Sequence, residues 1–412
     1  MVLDAAFSQG GRDGAPVLVE STANQVNQDG GYTGTTPAQF HSALMERARE
    51  AGFPVESLLV GGDHLGPFPW RSLPAAQAMD KARALVRDCV AAGYLKVHLD
   101  ASMALGGDDG GGSGALPARL VAQREAALAA VAEEAFRSLS ALPAPVYVLG
   151  TEVPVPGGTA EDTGVSVTSP AALQETWDEC ARAFRALGLE DAWSRVRALV
   201  AQPGVEFGDQ AVHAYDRAAA SALCMRARTL PRIVLEGHST DYQQEHQLRQ
   251  LVEDGVAVLK VGPALTFALR ECLFSLERIE EELVDDPGDR SRLAATVDAA
   301  MLADPVHWQG YYHGSPRHQR RSRLYSLSDR IRYYWSVPSV REATTSLLRR
   351  TSLHDVPRSL LSQFLPHLLP SVLEGSVRPR GEDLARESVR LVLASYSRAT
   401  HSATLRAPRR AP

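Results

Sequence analysis

The chain has no apolar run approaching the roughly 20 residues that a bilayer span needs, and Met1-Val2-Leu3-Asp4 does not open a secretory signal. No membrane is expected as a partner, and the cytoplasm is the expected compartment. Cysteine is scarce. Cys89, Cys180, Cys224 and Cys272 stand far apart with no CxxC pair, which argues against a disulfide framework and reads as reduced, buried thiols. Excess positive charge is missing too. A net charge of −6 gives no reason to expect a nucleic-acid partner, and the basic stretches at 317–323 and 406–410 read as a solvated face and a loose tail. What is present is the make-up of an ordinary enzyme: 412 residues, 44% hydrophobic and 22% charged, enough for one large core and a smaller second unit.

β-type apolar runs recur at 16–21, 57–62, 94–99, 145–150, 196–202, 232–236 and 256–262. Such near-continuous Val/Leu/Ile runs suit parallel strands covered on both faces, and about 25 to 50 residues from one start to the next leave room for a crossover helix. The spacing predicts seven βα units, one short of a TIM-type (β/α)8 barrel. Thr36-Pro37 and Ser169-Pro170 each open a helix with a capping hydroxyl and a proline at the first position. The glycine-rich stretch 106–114, containing Asp108 and Asp109, is either a tolerated insertion or a lid. Beyond 304 the strand-like runs stop, and 324–335, 340–349 and 360–373 read as helices. The expected organisation is a barrel over 1–304, a helical extension over 305–400 and a disordered tail over 401–412.

Chemistry gathers where the runs end. Asp63-His64 follows the second, His98-Leu99-Asp100 closes the third, Glu152 follows the fourth, and Glu236-Gly237-His238 closes the sixth. Residues two apart on a strand face the same way, so His98 with Asp100, and Glu236 with His238, each project into one cavity. Asp63 and His64 would face apart on a regular strand, but their glycine-rich setting places them where the strand breaks into a loop. A lone histidine is more often a satisfied structural imidazole than a ligand. Four such polar strand ends converging in one fold favour a divalent metal, held by His64, Glu152 and His238 with either His98 or Asp100. Zn, Mn, Ni and Co all suit that donor set.

A second group suits an anion. Lys260-Val261-Gly262 leads into a helix beside Ser239 and Thr240, where barrels commonly hold phosphate, and simple helix capping is the competing reading. Arg330 or Arg332 can reach the same anion from the extension, or else pack under it against aromatic residues. Asn24, Asn27 and Gln28 are neutral donors and acceptors of the kind that read sugar hydroxyls.

The ordered set Gly61-Gly62-Asp63-His64-Leu65-Gly66-Pro67, His98-Leu99-Asp100-Ala101-Ser102, Gly150-Thr151-Glu152-Val153-Pro154, Gln202-Pro203-Gly204-Val205-Glu206, Gly237-His238-Ser239-Thr240-Asp241 and Ser328-Asp329-Arg330 resembles the Z subunit of bacterial tagatose-1,6-bisphosphate aldolase. The resemblance covers about residues 16 to 375. It implies a TIM barrel akin to class II aldolases and a role in the catabolism of galactitol, tagatose or amino sugars. Two activities are compatible with it. Some relatives act alone as metal-dependent 4-epimerases on fructose and tagatose or their 6-phosphates, and others are non-catalytic partners that stabilise a separate class II aldolase subunit. In the enzyme reading the metal ligands are His64, His98, Glu152 and His238, and Asp63, Glu152 and Asp241 handle protons. The substrate is a ketohexose or its phosphate, touched by Asn24, Asn27, Gln28, Asp100, Ser102 and Gln202, and by Glu206, Ser239, Thr240, Lys260, Gly262 and Arg330. The resembled family usually carries a further strand ahead of the position of Met1, so the first barrel strand is expected to be missing here. Two sheet edges would then need covering, by the extension or by another subunit such as a second copy.

Overall fold

The computed structural model describes residues 1–108, 116–139, 143–150 and 164–400. Seven parallel strands form one sheet: β1 (Val17–Thr22), β2 (Leu58–Leu65), β3 (Lys96–Leu99), β4 (Val146–Leu149), β5 (Val196–Val200), β8 (Val234–Gly237) and β9 (Val256–Leu259), hydrogen-bonded in that order. Between β5 and β8 lies a short antiparallel hairpin, β6 (Glu206–Phe207) with β7 (Val212–His213), which the apolar pattern had not revealed because each arm has two residues.

The sheet curls into a TIM-type barrel. Lys96 Nζ on β3 lies 2.5 Å from Glu20 Oε1 on β1 and 2.7 Å from Glu236 Oε2 on β8, contacts that only a sheet rolled around its inner face permits. Among the described residues no strand pairs with the outer edge of β1 or β9. Lys260, directly after β9, brings its ammonium to 3.4 Å from Glu20 Oε2 and so links the two edges by charge instead of by a ladder. Outside, helices close the gap. The helix Val2–Asp13 packs on the long helix Gly381–Ala399, which in turn packs on Pro263–Leu283. Ala5, Leu265 and Val389 share an apolar contact there, and Arg390 donates to Gln9 Oε1 at 2.8 Å.

The expected helix starts are present. Thr36 forms a reciprocal capping box with Gln39, and Ser169 accepts from the Ala172 N–H. In the extension the pattern differs from expectation at two places. The run 324–335 splits into the end of helix Pro316–Tyr325 and a 3-10 turn, Arg330–Tyr333. The run 360–373 breaks at Leu365, because Pro366 cannot donate the next helical hydrogen bond and disfavours helical backbone before it. These helices bury a second apolar cluster that runs from Cys272 and Leu276 through Met301, Trp308 and Leu347 to Leu384, so its packing begins inside the helix that follows β9.

Gly106 is pinned by N–H donation to Arg71 O and Leu73 O, both at 3.0 Å. Asp108 is held by Arg124 at 2.6 and 2.9 Å. The rest of the expected lid, from Asp109 onward, and the expected tail 401–412 lie outside the described residues.

Candidate active site

At the end of β2 the ladder with β3 loses register between Gly62 and Leu65, and His64 takes a left-handed φ of 49°. A bulge re-aims side chains. It lets the neighbours Asp63 and His64 both face the barrel mouth, which a regular strand forbids. Gly66 holds this turn against β3, since a Cβ there would meet the Asp100 carbonyl oxygen at 1.7 Å. Strained backbone continues across the mouth, with φ values of 55° at Ser239 and 63° at Tyr242.

Three imidazoles now form a triangle. Ring centroids of His64, His98 and His238 are 4.9 to 5.2 Å apart. Asp63, His98, Glu236 and His238, all buried, bring one donor atom each within 4.8 Å of one another. His98 Nδ1 lies 2.7 Å from Asp63 Oδ1 and donates to it in the tautomer that leaves Nε2 a lone pair. Its Nε2 is buried and has no hydrogen-bond partner among the described residues. A ring fixed through one nitrogen presents the other as a ligand, so this orphaned atom, with carboxylates around it, fits a divalent cation. His64 Nδ1 is tied to Asp100 Oδ2 at 2.7 Å, and Asp100 Oδ1 accepts from Ser102 N–H at 3.0 Å and Ser102 Oγ at 2.6 Å. Asp100 and Ser102 therefore orient His64.

Below the imidazoles lies a layer of ion pairs. Lys260 Nζ lies against Asp63 Oδ1 and 3.9 Å from Glu236 Oε1, and His238 Nε2 is 3.1 Å from the same Glu236 oxygen. Burial pushes the His98 and His238 imidazoles down to about 4, so both are neutral and can donate lone pairs at neutral pH. Burial would raise the Glu236 carboxyl, but the Lys96 ammonium and His238 hold it well below the usual range. Asp100 is likewise held low by His64 against its burial. Burial brings the Lys260 ammonium down to about 8 although Glu20 opposes the change.

The sequence matches, over residues 1–401, the family described as D-tagatose-1,6-bisphosphate aldolase subunit GatZ/KbaZ-like. The chain belongs to the GatZ/KbaZ-like family. A protein of Sinorhizobium meliloti 1021, described as a probable tagatose 6 phosphate kinase, has a crystal structure similar to this one with a TM-score of 0.88, at 45% identity over 97% of both chains. A fructose-1,6-biphosphate aldolase of Coccidioides immitis, described as putative, matches 84% of this chain and 90% of its own at 12% identity, with a TM-score of 0.37, a likeness too weak to argue from. Membership makes this GatZ/KbaZ-like chain a carbohydrate-metabolism protein related to tagatose-bisphosphate aldolase.

Several residues expected at the substrate are engaged elsewhere in the fold. Asp241 accepts from the N–H groups of Gly262 at 3.0 Å and Ala264 at 2.8 Å. It thus caps the helix N-terminus expected to hold phosphate, and burial raises its carboxyl to about 6. Gly262 therefore has no free N–H for an anion, and Asp241 is a cap before it is a proton handler. Thr240 Oγ1 donates to Lys260 O at 2.7 Å, and the Tyr396 hydroxyl, from the C-terminal helix, donates to Thr240 O at 2.7 Å. Gln202 Oε1 accepts from Gly204 and Val205, each at 2.9 Å, and Asn27 uses both ends of its amide on Ala23, Asp29 and Gly31. Both shape loops. Gln28 donates to Lys81 O at 3.1 Å, Asn24 is half-buried in the same loop, and Glu206 is buried against Ser239. Glu152 lies outside the described residues. Sequence reasoning left Glu236 out of the ligand set although its two-residue spacing from His238 announced it, and it missed Glu20 and Lys96, whose partners across the barrel only the rolled sheet reveals.

One buried acid under the site carries a pH prediction. Glu125, fully buried in helix Ala118–Arg137, accepts from Gly150 N–H at 3.3 Å and from Cys180 Sγ at 3.5 Å. Its burial raises the carboxyl well above 4.5. The native state then keeps a proton that the unfolded chain loses, so stability falls as pH rises above about 4.5, by up to about 1.4 kcal/mol per unit. Glu125→Gln keeps the acceptor for Gly150 and removes the titration. Urea unfolding should show the variant more stable than the parent at pH 8, with the gap closing toward pH 4.

Proposed function

We propose that this chain interconverts ketohexoses or their 6-phosphates at C4 by retro-aldol opening and reclosure, dependent on a divalent metal. The observation that carries this reading is the buried Asp63, His98, Glu236 and His238 group with its orphaned His98 Nε2. Burying that many ionisable groups costs several kcal/mol each unless they are paired or bind an ion, and a surface-only role would not need them. His98, His238 and Glu236, with His64 beside them, would hold the metal. When bound, the ion acts as a Lewis acid on the ketose carbonyl. Asp63 would remove the C4 hydroxyl proton. The C3–C4 pair then moves onto the carbonyl half as an enediolate and leaves an aldehyde, which recloses through its other face with C4 inverted. The Lys260 ammonium against Asp63 would offset charge developing on the C4 oxygen.

The test is turnover of purified protein with Mn²⁺, Zn²⁺, Ni²⁺ or Co²⁺ on fructose 6-phosphate, tagatose 6-phosphate and the free sugars. Interconversion that a chelator abolishes is the expected result. The family description as an aldolase subunit supports a second reading, a non-catalytic partner of a separate aldolase. Folded protein that turns over none of these with any metal, yet raises a partner aldolase's activity on mixing, would establish that alternative.

A further inference from the structure

Glu20 on β1, Gly61 on β2 and Lys96 on β3 stand side by side in the sheet ladders. Gly61 lets the outer two meet over it, since a Cβ there would press on Glu20 Oε1 at 3.0 Å and on Lys96 Cβ at 3.2 Å. The buried Lys96 ammonium, 2.5 Å from Glu20 Oε1, then reaches across the barrel interior to Glu236 Oε2 at 2.7 Å. Among the described residues no hydrogen bond reaches that oxygen, so charge holds it. The other oxygen, Glu236 Oε1, lies 3.1 Å from His238 Nε2. Neither Glu20 nor Lys96 belongs to the group of four donors that surrounds the orphaned His98 Nε2.

This arrangement gives the two oxygens of Glu236 different partners. Oε2 is committed to an ammonium, and a dication taken up by both oxygens would have to approach that ammonium in a dry interior, where like charges repel strongly. Asp63 is placed the same way, with Oδ1 against Lys260 Nζ. Two acids that each keep one oxygen on a lysine offer a cation single oxygens beside the imidazole nitrogens. Such a small, mixed nitrogen and oxygen set suits Zn²⁺, which is content with few ligands, whereas Mn²⁺ favours an octahedral, oxygen-rich shell.

We propose that Lys96, steadied by Glu20, is a positioning residue that restricts Glu236 to one metal-facing oxygen and so sets a preference for Zn²⁺ over Mn²⁺. The assignment rests on the reading of the barrel mouth as a metal centre. The test measures the ratio of Zn²⁺ to Mn²⁺ affinity, by competition with a chelator, in the parent and in variants. Removing a positive charge or loosening the barrel acts on both divalent ions alike and cancels in the ratio, whereas freeing a second oxygen helps Mn²⁺ alone. Lys96→Met should cut the ratio by roughly 10-fold or more, the scale on which partners of metal ligands act, and Lys96→Arg, which keeps the charge, should retain most of it. Lys96→Met leaves Glu20 without its closest counter-charge. Lys96→Met combined with Glu20→Gln removes that charge as well and carries the same test should the single variant fail to fold. Co²⁺ gives an independent reading in the unaltered protein: the intense visible bands of a low-coordinate ion are expected, and the faint bands of an octahedral one would overturn the proposal. An unchanged Zn²⁺ to Mn²⁺ ratio in folded variants would overturn it too. A parent that binds neither ion sinks the metal reading and the proposal together. A ratio that depends on Lys96 in a protein that turns over no ketose upholds the role of Lys96 and sinks the epimerase reading alone.

Discussion

Asp63→Asn is expected to lower kcat for ketose interconversion by at least about 10³-fold while bound metal stays near one ion per chain. Positioned acid/base groups contribute about 10² to 10⁴ in rate, and an amide cannot accept the C4 hydroxyl proton. Asparagine keeps the shape and one oxygen, so the His98 ring 2.7 Å away retains a partner. Lys260 loses its close counter-charge but keeps Glu20 at 3.4 Å and Glu236 at 3.9 Å. Metal content by elemental analysis, measured on the protein used for kinetics, separates two roles that the geometry places side by side. Loss of metal together with turnover would make Asp63 a ligand, since its oxygen lies within the same 4.8 Å group as His98 and His238. The proton would then have to be taken by another group.

That ambiguity shows which features a linear sequence carries. The i, i+2 pairs His98 with Asp100 and Glu236 with His238 were legible because a strand fixes side-chain direction by counting, and the structure brings all four to the barrel mouth. Asp63 with His64 was legible only as a glycine-flanked pair. What brings both inward is a lost register and a left-handed φ, set by how β2 meets β3. The anion reading at Gly262 failed for a tertiary reason, because the cap on that helix comes from Asp241, remote in sequence and delivered by the loop after β8. Ionic contacts across the barrel were hidden for the same reason. Lys96 meets Glu20 and Glu236 only once the sheet has rolled. Pro366 was visible from the start as a break in the run 360–373, and the apolar period across it outweighed the local signal.

Replacing His98 or His238 by alanine should lower metal affinity by at least about tenfold, a floor set by what loss of mere outer partners costs in known metal sites. Each variant also gives up a carboxylate contact, His98 Nδ1 to Asp63 at 2.7 Å and His238 Nε2 to Glu236 at 3.1 Å, so both are read together. The same experiment reads stability. An ion that binds only the native state at 100 times its Kd stabilises by about 2.7 kcal/mol, so added metal should raise the parent's Tm by several degrees and move His98→Ala far less. Neutral imidazoles are required for binding. Both rings are pushed down to about 4 by burial, so protons should begin to compete for these two ligands only as pH falls toward about 4. Metal titrations from pH 8 to pH 5 should therefore show no loss attributable to these rings, and a drop centred near 6 would mean that a group with an ordinary imidazole pKa is a ligand. Unchanged metal content in both alanine variants would remove His98 and His238 from the site altogether.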